Sequence, residues 1–209
     1  MRSGKFFDDR PIARRGPSRQ PKTRILIVCE GRVTEPLYFK AFKQQARNQR
    51  VHLTVAKETG VPLTVVQVAV KLRREAEVKA KQQRDVNHLW DEVWGVFDVD
   101  DHPNLQQAVS LALSEGISLA ISNPSFELWA LLHFQDQRAH VTPQQVRTLL
   151  RVHLPDYNKE LGFAAIGPGY LDAVRRAEAL DREASSHGVP GRNPTTGVYM
   201  LTEAILTKA

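Results

Sequence analysis

Two short stretches of uninterrupted apolar residues most constrain how this chain can fold. One lies at residues 25–29, between Arg24 and Glu30, and the other lies within Glu92–Asp98. A strand that is apolar along its whole length is buried on both faces, which is typical of parallel sheets. Two further strands are predicted around residues 51–55 and 117–121. Since helical patterns separate these strands, the sequence predicts an α/β fold with a mostly parallel central sheet flanked by helices.

Helical spacing of apolar residues accounts for the rest of the chain. The first helix is predicted to begin at Thr34, which would cap it, with Pro36 in its first turn. Another is predicted to end at Gly116, and one more to open at Asn123-Pro124. Further helical patterns lie at residues 63–84, 105–115, 126–134, 146–150, 171–180 and 198–206. The last three of these predict a helical C-terminal extension over about residues 143–209.

The positive charge of the chain is concentrated at its N-terminus. Residues 1–24 hold eight Lys and Arg against two Asp, whereas residues 25–209 hold 21 basic and 21 acidic residues. Together with three prolines, this composition predicts a flexible arm over residues 1–23 that precedes a single domain at 24–209. Arg14 and Arg15 are candidates for contacts with nucleic-acid phosphates. A solubilising tail is the alternative interpretation.

Composition also excludes several classes of protein. No apolar run approaches the roughly 18 residues of a membrane span, and no apolar segment typical of a secretory signal follows the N-terminus. Cys29 is the single cysteine, which excludes disulfides within the chain and multi-cysteine metal sites. The Gly-rich segments lack the spacing of an ATP-binding phosphate loop. We therefore expect a cytoplasmic protein that is not itself an ATPase and does not enter a membrane.

Acidic residues follow two of the predicted strands. Glu30 ends the first, and Asp98, Asp100 and Asp101 follow the third. Ligands of open parallel sheets bind beyond the carboxyl ends of the strands, and residues two apart on an extended chain share a face. Carboxylates gathered there suit Mg²⁺ or Mn²⁺, which would support phosphodiester cleavage. The alternative is an exposed turn in which Asp101 or Asn104 caps the next helix.

Three longer blocks resemble the RloB-like protein family, and a shorter C-terminal element is similar to another part of it. The blocks are Val28-Cys-Glu-Gly-Arg-Val-Thr-Glu-Pro-Leu-Tyr-Phe39, Trp94-Gly-Val-Phe-Asp-Val-Asp-Asp-His-Pro103, Ile121-Ser-Asn-Pro-Ser-Phe-Glu-Leu-Trp-Ala-Leu-Leu-His-Phe134 and Asn193-Pro-Thr-Thr-Gly-Val-Tyr199. They occur in family order over residues 24–200. The resemblance implies a Toprim-like fold, in which a Glu follows the first strand and an Asp-x-Asp follows a later one. It also implies a role in anti-phage defence and at restriction-modification loci, beside an AAA-type ATPase partner.

The matching positions assign roles to particular residues. Glu30, Asp98 and Asp100 correspond to the catalytic and metal-binding carboxylates that the resemblance implies. Asp101 is a further candidate metal ligand. Glu127 is another by its place in the family, although an acid in the first turn of a helix is favoured by the helix dipole in any case. Arg32 and His102 flank the acidic residues and are candidate phosphate contacts.

Three functions remain open at this point. The first is a metal-dependent nuclease acting on DNA or RNA. The second is a haloacid-dehalogenase-like phosphatase, which is disfavoured because His102 stands where that family has Thr or Val and because the Asp-x-Asp follows the third strand. The third is a non-catalytic, metal-binding regulatory subunit of an ATPase complex. A complete topoisomerase or primase would need further domains, and the sequence leaves homo-oligomerisation undecided.

Overall fold

A computed structural model describes residues 22–48, 51–99 and 104–207. These residues form a five-stranded sheet in the order β2-β1-β3-β4-β5. The strands are β1 Thr23–Cys29, β2 Val51–Val55, β3 Glu92–Asp98, β4 Ser118–Asn123 and β5 Thr195–Thr196. Strands β1 to β4 are parallel to one another, and β5 runs antiparallel to β4. The prediction of a mostly parallel sheet in an α/β fold is therefore confirmed.

Helices flank the sheet and make up most of the C-terminal part, as predicted. They are α1 Thr34–Ala46, α2 Pro62–Gln83, α3 Leu105–Glu115, α4 Glu127–Leu132, α5 Pro143–His153, α6 Phe163–Ile166, α7 Tyr170–Ser186 and α8 Val198–Thr207. Gly116 ends α3 in the left-handed conformation, which confirms the predicted stop. Within the described residues, every helix is too short or too polar to cross a bilayer.

Both faces of the sheet are buried, which explains the uninterrupted apolar strands. Because side chains alternate along β1, Ile25 and Ile27 enter one hydrophobic cluster and Leu26 and Val28 enter another. The first cluster is covered by α1 and α4–α8, and the second by α2 and α3. The helical C-terminal part therefore packs on the same face of the sheet as α1.

Three local features differ from the sequence predictions. Thr34 is not the cap of α1: it is already helical, Val33 precedes it, and its hydroxyl donates a hydrogen bond to the Lys159 carbonyl at 2.8 Å. The helix predicted to open at Asn123-Pro124 and run to Phe134 begins at Glu127 and ends at Leu132, because Asn123 still belongs to β4. Strand β5 was not predicted, because a two-residue strand carries no alternation of apolar and polar residues.

An aromatic cluster fixes α1 against the C-terminal part. The Tyr38 ring lies 5.5 Å from the Phe126 ring and 5.8 Å from the Phe163 ring, in edge-to-face contact with both. Tyr38 and Phe126 are almost completely buried. Since Phe126 immediately precedes α4, this cluster sets the position of the start of α4 relative to the start of α1.

His133, at the end of α4, is buried in its neutral form. Its Nδ1 lies 2.9 Å from the Trp129 carbonyl, an acceptor that requires the proton on Nδ1. Desolvation lowers the pKa of His133 to about 4, against the opposing effect of this hydrogen bond and with a smaller contribution from the Arg176 charge. A positive charge is therefore strongly disfavoured at this position in the folded protein.

We expect His133 to make the fold sensitive to acid. The folded-state pKa lies below the unfolded value of about 6.5, so the unfolded chain binds the proton first as the pH falls. Between pH 7 and pH 4, this residue should remove about 3 kcal/mol from the free energy of unfolding. Urea titrations of wild type and His133→Gln across this range measure the difference, with exposed His187→Gln as the control. Parallel pH profiles for wild type and His133→Gln would contradict the prediction.

Candidate functional site

A pocket of about 410 Å³ lies at the carboxyl ends of β1 and β3. Its described lining combines acidic side chains with basic ones contributed by distant parts of the chain. The acidic residues are Glu30, Glu35, Asp98 and Glu127, and the basic ones are Arg32, Arg147 and Lys159. Ligands of parallel sheets bind at this edge, so the pocket is the candidate functional site.

Glu30 and Asp98 are held together by the pairing of β1 with β3. The Asp98 backbone N–H donates a hydrogen bond to Glu30 Oε2 at 3.0 Å, and the Glu30 N–H donates to the Val96 carbonyl at 2.9 Å. Both residues are half-buried. The backbone at the end of β3 thereby positions the Glu30 carboxylate, which follows β1.

Glu35, in the first turn of α1, holds the loop between β1 and α1 through a hydrogen bond. It is 7% exposed, and its Oε1 accepts a hydrogen bond from the Gly31 N–H at 3.1 Å. A Cβ atom on residue 31 would lie 2.3 Å from Glu35 Oε2, so a larger residue there would displace the Glu35 carboxylate. Burial raises the pKa of Glu35, and the charges of Glu127 and Glu30 add to this effect. Negative charge in the pocket is therefore concentrated and costly.

Glu127, the first residue of α4, is also buried. The Tyr157 hydroxyl donates a hydrogen bond to Glu127 Oε1 at 3.2 Å. Desolvation and the Glu127 charge raise the pKa of Tyr157, so the phenol stays protonated and serves as a donor. Tyr157 lies in the loop after α5. The C-terminal part thus orients one of the pocket carboxylates.

Ser125 provides an unsatisfied polar group in the pocket lining. The residue is 4% exposed, and its hydroxyl has no hydrogen-bond partner among the described residues. A buried hydroxyl without a partner costs free energy that a bound ligand would recover. This orphaned atom fits a pocket that is completed by a ligand.

The basic side chains of the pocket come from three elements. Arg32 is exposed in the loop before α1, and its Nε lies 3.3 Å from Thr59 Oγ1. Arg147 lies on α5, and Lys159 lies in the following loop with a backbone φ of +80°. The hydrogen bond from the Thr34 hydroxyl to the Lys159 carbonyl ties that loop to α1. Sequence analysis missed Arg147 and Lys159, because only the fold brings them to Glu30.

The structure brings together four of the residues singled out from the sequence. Glu30, Arg32, Asp98 and Glu127 all line the pocket. The other candidates lie outside the described residues: Asp100, Asp101, His102, Arg14 and Arg15. Ser125 is an addition that comes from the structure, and Glu35, in the first turn of α1, also lines the pocket.

The chemistry of the lining fits a hard divalent cation. Carboxylate and hydroxyl oxygens are the donors that Mg²⁺ and Mn²⁺ prefer. In residues 22–48, 51–99 and 104–207, no three His, Cys, Asp or Glu side chains are arranged as a metal-binding group. Glu30 and Asp98 are adjacent, and the position predicted to supply the third carboxylate, Asp100, falls outside these ranges.

The fold and the site define a mixed α/β protein with a pocket at the carboxyl ends of two adjacent parallel strands. The pocket is lined by both acidic and basic side chains. A family model described as RloB-like protein matches residues 25–205, so the chain belongs to the RloB-like family. The match spans both the strands and the C-terminal elements that line the pocket. No curated protein matches the chain.

Proposed function

We propose that this protein is a Mg²⁺- or Mn²⁺-dependent nuclease with a Toprim-like catalytic site. The observation that carries the proposal is the hydrogen-bonded approach of Glu30 to the end of β3 at Asp98, inside a pocket that also holds Arg32, Arg147 and Lys159. Acidic residues suit the metal, and basic residues suit the phosphate of a substrate. The presence of both kinds of residue in one cavity supports a metal-dependent phosphodiesterase site.

Glu30 and Asp98 would hold the metal together with Asp100, with Asp101 and Glu127 as further candidate ligands. When bound, the metal would supply Lewis-acid polarisation of the substrate phosphate. Arg32, Arg147 and Lys159 bind the non-bridging phosphate oxygens and offset the charge of the substrate. Ser125 donates a hydrogen bond to the bound group. Glu35 and Tyr157 keep the surrounding loops in place through Gly31 and Glu127.

Membership of the RloB-like family supports a cellular setting for this activity. We propose an effector of anti-phage defence that acts in the bacterial cytoplasm with an AAA-type ATPase partner. The basic N-terminal segment, with Arg14 and Arg15, and the loop residue His102 would add contacts to substrate phosphates. Either DNA or RNA satisfies this chemistry, because a phosphate contact does not distinguish bases.

A cleavage assay on a mixed panel tests the proposal. The panel contains duplex DNA, single-stranded DNA, bulk RNA and transfer RNA, each with Mg²⁺, with Mn²⁺ or with EDTA. We expect cleavage that requires metal and that falls at least about 100-fold in Asp98→Asn. Asp172→Asn, an exposed acid-to-amide change on α7, is the matched control and should cleave like wild type.

Two results would overturn the nuclease. One is cleavage that persists in EDTA or in Asp98→Asn. The other is the absence of cleavage by wild type on every substrate, with and without the proposed AAA-type ATPase partner. The second result would favour a non-catalytic regulatory subunit. In that case, Asp98→Asn should weaken the binding of this subunit to its partner.

A further inference from the structure

The segment that begins in α1 carries an uncompensated positive charge. Residues 36–57 contain five Lys and Arg and not one Asp or Glu. Residues 25–209 as a whole are balanced, with 21 basic and 21 acidic residues. The excess in this segment is therefore offset elsewhere, and the folded protein is electrostatically polarised.

Helix α1 connects the candidate site to the opposite edge of the sheet. It begins at Thr34, beside the pocket, and its C-terminal cap, Arg47, lies near the amino ends of β1 and β2. Phe39 and Phe42 bury one face of the helix in the core. Lys40 and Arg47 are exposed and Lys43 is partly exposed, at spacings of three and four residues that place them on one side.

At the C-terminal end of α1, Lys43 and Arg47 lie near two further basic residues, Lys22 and His52. A cavity of about 420 Å³ lies there, and its described lining contains no carboxylate: Lys22, Lys43, Arg47, Asn48, Val51, His52 and Leu53. Desolvation and the Lys22 charge lower the pKa of Lys43. Desolvation and the charges of Arg24, Lys22 and Lys43 lower the pKa of His52. The charged groups acting on both are all positive, so the cavity favours an anion.

We infer that a basic ridge, formed by Lys40, Lys43 and Arg47 with Lys22 and His52, binds the phosphate backbone of a nucleic acid. The ridge leads away from the pocket, whose lining includes Arg32. From Lys40 to Arg47 the ridge spans about 10 Å along the helix axis, which matches roughly three phosphates of one strand of a duplex. The inference rests on the proposed function only in naming the pocket as the place where the bound strand is cut.

A local role at the helix end explains only part of the ridge. Cations near the C-terminus of a helix are favoured by its dipole, and the Lys43 ammonium donates a hydrogen bond to the Asn48 carbonyl. This accounts for Lys43 and Arg47. It does not account for Lys40, in the middle of α1, or for Lys22, which immediately precedes β1. A surface that follows a polyanion accounts for all of them.

Binding measured without cleavage tests the ridge separately from the nuclease. Fluorescence anisotropy of labelled 20-nucleotide RNA, single-stranded DNA and duplex DNA is recorded in EDTA at several salt concentrations, with the full chain. The variant Lys40→Gln/Lys43→Gln/Arg47→Gln is compared with Lys71→Gln/Lys79→Gln/Lys81→Gln, which removes the same charge from exposed positions on α2. Thermal unfolding monitored by circular dichroism shows that both variants fold, and the single change Lys40→Gln replaces the triple variant if it does not.

For the ridge variant, we expect at least a 10-fold loss of affinity at about 100 mM salt. The slope of log K against log salt should also fall by about 2, since each phosphate contact contributes roughly 0.7–0.9. Lys40→Gln alone should lower the slope by less than 1. The α2 variant should bind like wild type. An unchanged slope in the ridge variant or an equal loss in the α2 variant would overturn the inference.

Discussion

Replacing Glu30 with Gln is expected to lower metal-dependent cleavage by roughly 10³-fold, equivalent to about 4 kcal/mol of transition-state stabilisation. The change removes the negative charge that would hold the metal. It keeps an oxygen that can accept the hydrogen bond from the Asp98 N–H, now 3.0 Å from Glu30 Oε2. The link between the ends of β1 and β3 should therefore survive.

The free energy of unfolding should not fall in Glu30→Gln. Glu30 shares its pocket with Glu35, Asp98 and Glu127, and the raised pKa of Glu35 reflects repulsion from Glu30 after the larger effect of burial. Removal of one charge relieves this repulsion, so we expect stability to be unchanged or higher by up to about 1 kcal/mol. Steady-state cleavage rates and urea titrations measure the two quantities on the same preparations.

Two further variants separate the charge of Glu30 from its hydrogen bond. Glu30→Ala loses both, and should be as inactive as Glu30→Gln but less stable, because the Asp98 N–H loses an acceptor. Glu77→Gln, an exposed change on α2, should leave cleavage and stability as in wild type. A Glu30→Gln protein that retains more than about a tenth of wild-type activity would exclude Glu30 as a metal ligand or catalytic group.

The strands that form the acidic end of the pocket were predictable because burial on both faces leaves a direct record in the sequence. Ile25, Ile27, Leu26 and Val28 are all apolar because each face of β1 meets its own hydrophobic cluster. The position of an acid just after such a strand places it at the ligand-binding edge of a parallel sheet. The positions of Glu30 and Asp98 at this edge were therefore predictable from the sequence.

The basic residues of the pocket could not be predicted from a comparable pattern in the sequence. Arg147 lies on an amphipathic helix, and Lys159 in a loop, where basic residues are ordinary surface residues. Their approach to Glu30 depends on how the C-terminal part packs over α1, through contacts such as Thr34 with Lys159. The wrong N-cap at Thr34 has the same cause, since a tertiary hydrogen bond takes the hydroxyl that a local rule assigned to the helix end.

The packing that closes the pocket should fail most severely in Gly169→Ala. Gly169 ends the short turn before α7, and a Cβ there would lie 2.0 Å from the His133 carbonyl oxygen and 2.8 Å from its carbon. Both atoms belong to the backbone at the end of α4, so no side-chain rotation relieves the overlap. Either α7 or the end of α4 must move, and α4 begins at Glu127 in the pocket.

We expect Gly169→Ala to lower the free energy of unfolding by at least about 3 kcal/mol, and the melting temperature by roughly 6–12 °C. The displacement breaks the contact of α7 with α4, where Arg176 donates a hydrogen bond to the Leu132 carbonyl at 2.6 Å. Gly162→Ala is the matched control, because a Cβ at residue 162 meets no atom within 4 Å. Differential scanning calorimetry compares both with wild type. Equal melting temperatures for the two variants would show that α7 and α4 can separate without cost, and that the pocket does not depend on their close approach.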